Sequence, residues 1–243
     1  MTHGVFITGT DTAVGKTLLT AVLAVSLQKR GLDIGVMKPV ETGVLQGRPS
    51  DAVRLARAAQ VSDALDLVRP YAFRLPVAPF DAARAERRTI KLSTIVRAYH
   101  QLHARHDLLL VEGAGGVHVP ITPTMDVLDL IEKLKAPVVV VGRAGLGGVN
   151  HAMLTLNALR DRKVRILAVV LNQTVPAKTA VARRQEQSTV KLLRESAEVP
   201  VIGPLPYRAG VDVRFERAVE TMAANSEMRK LTKLLLASAR GTR

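Results

Sequence analysis

The stretch Gly9-Thr10-Asp11-Thr12-Ala13-Val14-Gly15-Lys16-Thr17 limits what this chain can fold into more than any other. An apolar run, Val5-Phe6-Ile7, leads into it, and a run with helical character, Leu18 to Lys29, leads out. Strand, glycine-containing loop and helix in that order make a phosphate-binding loop. Its backbone N–H groups and the first helical turn point at one spot, and the helix dipole adds positive potential there. Lys16 supplies a full positive charge for β- and γ-phosphates, and the Thr17 hydroxyl is the oxygen ligand Mg2+ prefers. Gly9 and Gly15 are separated by five residues, one more than in the ordinary phosphate loop. The competing reading, a strand-to-helix turn that binds nothing, leaves the Gly-Lys-Thr unexplained.

The 243 residues suit one large α/β domain spanning 1–243 with a sizeable core. There is no apolar run of membrane-spanning length, and no cysteine for disulfides or thiolate metal sites. Met1-Thr2-His3-Gly4 carries no basic leader region, so no targeting segment is expected and a cytoplasmic location fits. The formal net charge of +14 suggests either an anionic partner or a solvated basic surface. The basic residues run from Arg30 to Arg243 without a tract of like charges, and aromatics are 3%. So few aromatics argue against stacking platforms for single-stranded nucleic acid, and neither nucleic acid nor membrane is expected as a partner.

Apolar runs alternate with helical patterns along the rest of the chain. Ile34 to Lys38 reads as a strand stopped by Pro39, which leaves Lys38 where parallel strands end and ligands bind. Ser50 is a good N-cap for a helix from Asp51 to about Ala59. Asp51 is then a metal ligand or an acid favoured by the helix dipole. Pro70 to Pro79 reads as an irregular excursion, and Leu92 to His106 as helical. His100, His103 and His106 fall at three-residue spacing with no matching acid cluster beside them, which predicts a solvated face.

Leu108 to Val111 is apolar at every position, as in a strand buried on both faces. It ends in Glu112-Gly113-Ala114-Gly115-Gly116, an acid suited to Mg2+ followed by glycines that permit close approach of a ligand. Further helices are expected at 127–134, 150–160, 182–196 and 215–237, with strands at 138–141, 166–171 and 201–202. Asn172 ends one of those strands and either reads an adenine edge or forms a turn. The alternation predicts a single doubly wound, mostly parallel sheet in a three-layer α/β/α fold.

Taken in order, GTDTAVGKT, MKPVETG, SDAVRLA, LLLVEGAGGVHVPIT, GLGGVNHAMLT, LNQT and GPLPY form a series that resembles the dethiobiotin synthetases, from about Val5 to Tyr207. The longer phosphate loop is itself a feature of that P-loop NTPase-like family. The resemblance implies ring-closing carboxylation of 7,8-diaminopelargonate with CO2 and ATP, through a carbamate and a carbamic-phosphoric anhydride, in biotin biosynthesis. It implies that Lys16 and Lys38 flank the reacting groups and that Thr17, Asp51 and Glu112 hold Mg2+. Ala13, Val14, Gly15, Lys16, Thr17 and Leu18 would cradle the phosphates of ATP, with Gly113, Ala114 and Gly115 beside them. Asn172, Gln173, Pro206, Tyr207 and Arg208 would form the base pocket. Thr42, Gly116 and Val117 would border the diamine. Leu146, Gly147, Gly148, Val149 and Asn150 would bind the carboxylate tail of the neighbour's substrate in a homodimer. Ala78-Pro79-Phe80 stands where relatives often have Ser-Pro-His, a departure at the edge of the substrate site. Two alternatives remain, a ligase paralogue with a drifted substrate and a switch ATPase of the partitioning type. The latter usually carries an early lysine in its phosphate loop, and Thr10 to Ala13 contain none.

Overall fold

The computed structural model describes residues 4–240. Met1, Thr2 and His3, on which the expectation of no targeting segment partly rests, lie outside the described residues. The chain opens with β1 (Gly4–Gly9), and the phosphate loop carries it into α1 (Lys16–Gln28). Next come β2 (Ile34–Met37), the two-residue β3 (Val40–Glu41), α2 (Asp51–Ala58), α3 (Leu65–Val68), β4 (Tyr71–Ala72) and α4 (Pro79–Ala85). From α5 (Leu92–His103) the chain returns to β5 (Leu108–Gly116), and a ribbon of β6 (Pro120–Thr122) and β7 (Met125–Asp126) leads into α6 (Val127–Leu134). Strand and helix then alternate through β8 (Val138–Arg143), α7 (Gly148–Asp161), β9 (Ile166–Asn172), α8 (Ala180–Ser196) and β10 (Val201–Leu205). The last elements are α9 (Phe215–Ala223) and α10 (Ser226–Arg240).

The central sheet has the order β10-β9-β8-β1-β5-β2, with every neighbouring pair parallel. Its strands are apolar on both faces because both faces are covered. Phe6, Leu109, Val111, Val138, Val140, Val169 and Leu171 point into the layer formed with α5, α6, α7 and α8. Their alternates Val5, Ile7, Leu108, Leu110, Val139, Val141 and Val170 point into the layer with α1, α2, α9 and α10. Each buried Val, Leu or Ile contributes about 1.5–3 kcal/mol, so these two layers hold the sheet more than strand propensity does. The three-layer, doubly wound expectation is met. Among the described residues no helix is long and apolar enough to cross a membrane.

Three local expectations differ. The stretch 70–79 contains a two-residue strand and leads into a helix that starts at Pro79, whose fixed φ suits a first helical turn. The helix expected over 215–237 is two helices, broken near Ala224 and Asn225, where Asn225 Oδ1 accepts the Glu227 N–H at 2.8 Å. His106 lies past the end of α5 and is not solvated: its side chain is 9% exposed, between Asp33 and Asp63.

Strand register positions the site. Ile7 pairs with Glu112, and Met37 pairs with Val111. Lys38, the residue after Met37, therefore lies beside Glu112, and both lie next to the loop that follows Gly9. This is the carboxyl edge of the sheet, where open α/β folds bind ligands.

Candidate active site

The loop between β1 and α1 takes its shape from two left-handed residues, Ala13 (φ 54°) and Gly15 (φ 96°). Any other residue at Gly15 would be strained by that φ, and its Cβ would fall 2.1 Å from Asn172 Nδ2. Asn172 Nδ2 donates to the carbonyl of Val14 at 3.1 Å, which pins the loop to the end of β9. Asn172 is thus engaged with the phosphate loop itself. Lys16 Nζ donates to the Asp11 carbonyl at 2.8 Å and bends back over the loop.

Lys38 Nζ sits between two carboxylates, 3.1 Å from Asp51 Oδ2 and paired with Glu112 Oε1. The Thr17 hydroxyl donates to the same Glu112 oxygen at 2.9 Å. Lys38 and Glu112 are both buried. Burial disfavours the Lys38 charge, but the Glu112 and Asp51 carboxylates outweigh it and hold its pKa above the usual lysine value. Burial pushes Glu112 up despite Lys38. It opposes the Asp51 charge too, but the Lys38 ammonium prevails and holds Asp51 below the usual carboxylate range. Lys16 has no such carboxylate contact. Burial, and then repulsion from Lys38, lower it to about 8. An anion bound beside Lys16 would favour its charged form.

These groups line one cavity of about 540 Å³. Ala13, Gly15, Lys16, Thr17, Leu18, Lys38, Thr42, Asp51, Glu112, Ala114, Gly115, Asn172, Gln173, Pro206, Tyr207 and Arg208 all reach its wall. Val14 and Gly113 lie behind the wall, Val14 buried and Gly113 packed on Phe6. Gly116 abuts the carbonyl of Gly9 instead. Val117 is a core residue, 4% exposed, and does not reach the wall of this cavity. Leu146 to Asn150 stand at the same edge of the sheet, outside this chain's own cavity.

Other wall residues escape a reading of the sequence. Arg54 pairs with Asp212 Oδ1 at 3.4 Å and stacks 4.9 Å from the Phe215 ring centre, bridging α2 to α9 across the cavity mouth. Its spacing of three from Asp51 on one helix was the available signal. Asp212 and Phe215 gave none. A larger groove of about 910 Å³ runs along α8 and shares Gln173, Pro206 and Tyr207 with the cavity. It contains no residue of the phosphate loop, so the chemistry belongs to the smaller space.

The donor set fits Mg2+. Thr17 Oγ1, Asp51 and Glu112 converge, and Glu112 Oε2 is buried with no hydrogen-bond partner among the described residues. Among the described residues no group of three or more His, Cys, Asp or Glu forms a metal cage. A few oxygens beside a phosphate-binding loop are what Mg2+ uses when a nucleotide supplies the remaining ligands.

A family model described as AAA domain matches residues 3–214. The ATP-dependent dethiobiotin synthetase of Thermodesulfovibrio yellowstonii is 37% identical over 96% of this chain and 100% of its own length. This chain belongs to the dethiobiotin synthetases. A second dethiobiotin synthetase, from Anaeromyxobacter sp. (strain Fw109-5), is 48% identical over 70% of this chain and 77% of its own. Among solved structures, the MinC:MinD cell division protein complex of Aquifex aeolicus matches with a TM-score of 0.57 and 17% identity, over 95% of this chain and 96% of the other. That likeness is one of fold alone.

Proposed function

We infer that this chain closes the cyclic urea of dethiobiotin from 7,8-diaminopelargonate, CO2 and ATP. One observation carries the reading: two lysines, two carboxylates and the phosphate-loop threonine meet in one cavity, in a chain of this family. The reaction must bring a carbamate and a triphosphate together. Two like unit charges 4 Å apart repel by about 4 kcal/mol at an effective dielectric of 20. Lys16 and Lys38 offset that repulsion and stabilise charge on the transferring phosphoryl group.

One amine of the substrate takes up CO2 as a carbamate, whose oxygen attacks the γ-phosphorus as the bond to ADP breaks. The second amine then attacks the carbamoyl carbon, phosphate leaves and the ring closes. Lys38 reaches the carbamate side of this exchange, and Lys16 the phosphate side. Thr42 lies on the wall near Lys38, suited to contact the diamine. Thr17, Asp51 and Glu112 would hold Mg2+, which when bound neutralises charge on the triphosphate. Pro206, Tyr207 and Arg208 suit the base, and Asn172, whose amide is held by the Val14 carbonyl, meets it only as part of the wall. Leu146 to Asn150 serve the substrate of a second subunit, so the reading includes a homodimer.

The direct test supplies ATP, Mg2+, bicarbonate and the diamine, and measures ADP and the cyclic urea. Stoichiometric formation of both is expected. ADP release that ignores the diamine would instead favour the switch-ATPase alternative.

A further inference from the structure

Glu41 reaches the wall of the reaction cavity, and Arg69 pairs with it from outside that wall. They form a buried ion pair: Arg69 Nη1 is 2.9 Å from Glu41 Oε2, with side chains 13% and 5% exposed. A buried carboxylate has few reasons to be there without further partners. Glu41 has them at the start of α2. Its Oε1 accepts the backbone N–H of Asp51, and its Oε2 that of Ala52 at 3.4 Å. Those are the first two orphan donors of the helix, which a carboxylate satisfies with help from the dipole. The residue in the N-cap position, Ser50, reaches Val53 N–H only at 3.5 Å, and its hydroxyl accepts from Arg69 Nη1 at 2.7 Å. Glu41 thus replaces most of the usual cap, and Arg69 ties it to Ser50.

The placement has a functional reading that rests on the metal site proposed above. Asp51 is the residue whose N–H is held, and its carboxylate contacts Lys38 on the cavity side. Thr42 follows Glu41 directly, so the clasp also closes the loop 42–50 that borders the substrate. We propose that Glu41, clamped by Arg69, is a positioning residue for the metal subsite. It fixes the backbone of Asp51 so that the carboxylate faces Thr17 and Glu112 before any ligand arrives. Preorganisation of this kind acts through the ligand's orientation and not through contact with substrate.

The test titrates Mg2+ calorimetrically into the full chain saturated with a non-hydrolysable ATP analogue, and separately measures analogue affinity in a chelator. Glu41→Ala should weaken Mg2+ by about 10–100-fold, the usual cost of removing an outer-shell partner, with chelator-state analogue affinity unchanged. Glu41→Gln keeps an acceptor for the Asp51 N–H and should restore most of the loss. Unchanged Mg2+ affinity in Glu41→Ala overturns the proposal. So does an equal loss of analogue affinity in chelator, which would mark general damage to the pocket. If Glu41→Ala does not fold, Arg69→Lys decides: weakened Mg2+ supports the clasp, and wild-type affinity overturns it. The titration needs no diamine. A chain that makes no cyclic urea yet shows the Mg2+ shift keeps the clasp and loses the reaction. A chain that makes the urea with no Mg2+ shift does the reverse.

Discussion

Lys38 illustrates how much one residue depends on its neighbours. It is a buried ammonium, and burial alone would discharge it; Glu112 and Asp51 keep it charged. Its position was legible, because a lysine just before Pro39 at the end of a short apolar run sits at the ligand-binding edge of a parallel sheet. Its partners were legible only in part. Glu112 follows an unbroken apolar strand and Asp51 follows a good N-cap, but their meeting with Lys38 across 74 and 13 residues leaves no local pattern. Lys38→Ala should lower kcat by at least about 100-fold, the scale of losing one electrostatic contact to a transition state. Affinity for an ATP analogue should hold, since the phosphate loop keeps Lys16. The check is steady-state turnover beside analogue binding, with circular dichroism to verify folding, because Glu112 is left without its buried cation. Wild-type turnover would remove Lys38 from the mechanism.

At the scale of elements, what could be read from sequence was what repeats. Strands β1, β5, β8 and β9 announce themselves because apolar residues occupy both faces, and α6 was bounded at both ends by its pattern. Strands β3, β4 and β7 have two residues each, too few for any period to register. The break between α9 and α10 was hidden for the opposite reason. Phe215, Ala218, Val219 and Met222 are followed by Met228, Leu231 and Leu235, so apolar spacing runs on through the turn.

The histidine pattern misled because the acids that meet His106 come from other elements. Asp33 precedes β2, and Asp63 lies between α2 and α3; they approach its Nδ1 and Nε2 at 3.0 and 2.7 Å. Burial works against the imidazolium, but the two carboxylates outweigh it, so the His106 pKa is raised. Burial likewise opposes the Asp63 charge, yet hydrogen bonds from His106 and Arg105 leave Asp63 lowered. A raised His106 stabilises the fold fully below its unfolded value of about 6.5, and loses that contribution as pH climbs through the folded value. A lowered Asp63 contributes above its unfolded value of about 3.9 and loses it on acidification. Both act together only between those limits. Urea unfolding should therefore show wild type losing stability from pH 5.5 to pH 8.5, and His106→Gln losing less over the same interval. Parallel curves for the two proteins would refute the assignment.

Across the whole molecule, the staple at His106 and the chemistry at Lys38 occupy opposite edges of one sheet, so stability and turnover can be altered separately. The carboxyl edge also carries a segment its own cavity does not use. Leu146 is 75% exposed at the turn before α7, and Leu154 on that helix is 61% exposed. Apolar side chains this open, beside a loop that the resemblance assigns to a neighbour's substrate, are the expected face of a two-fold pair. In such a pair each active site draws Lys38 from one subunit and Asn150 from the other. Lys38→Ala and Asn150→Ala should each be nearly inactive, for different halves of the same site. Mixed in equal amounts and refolded together, they should recover about a quarter of wild-type sites, the share expected when subunits pair at random about a two-fold axis. Each mixed dimer then holds one intact site and one doubly damaged site. The check is cyclic urea formation by the mixture against each variant alone, with sedimentation to verify pairing. If subunits exchange and activity stays at the level of the separate variants, Lys38 and Asn150 act within the same chain, and the tail-binding role of 146–150 fails with the dimeric site.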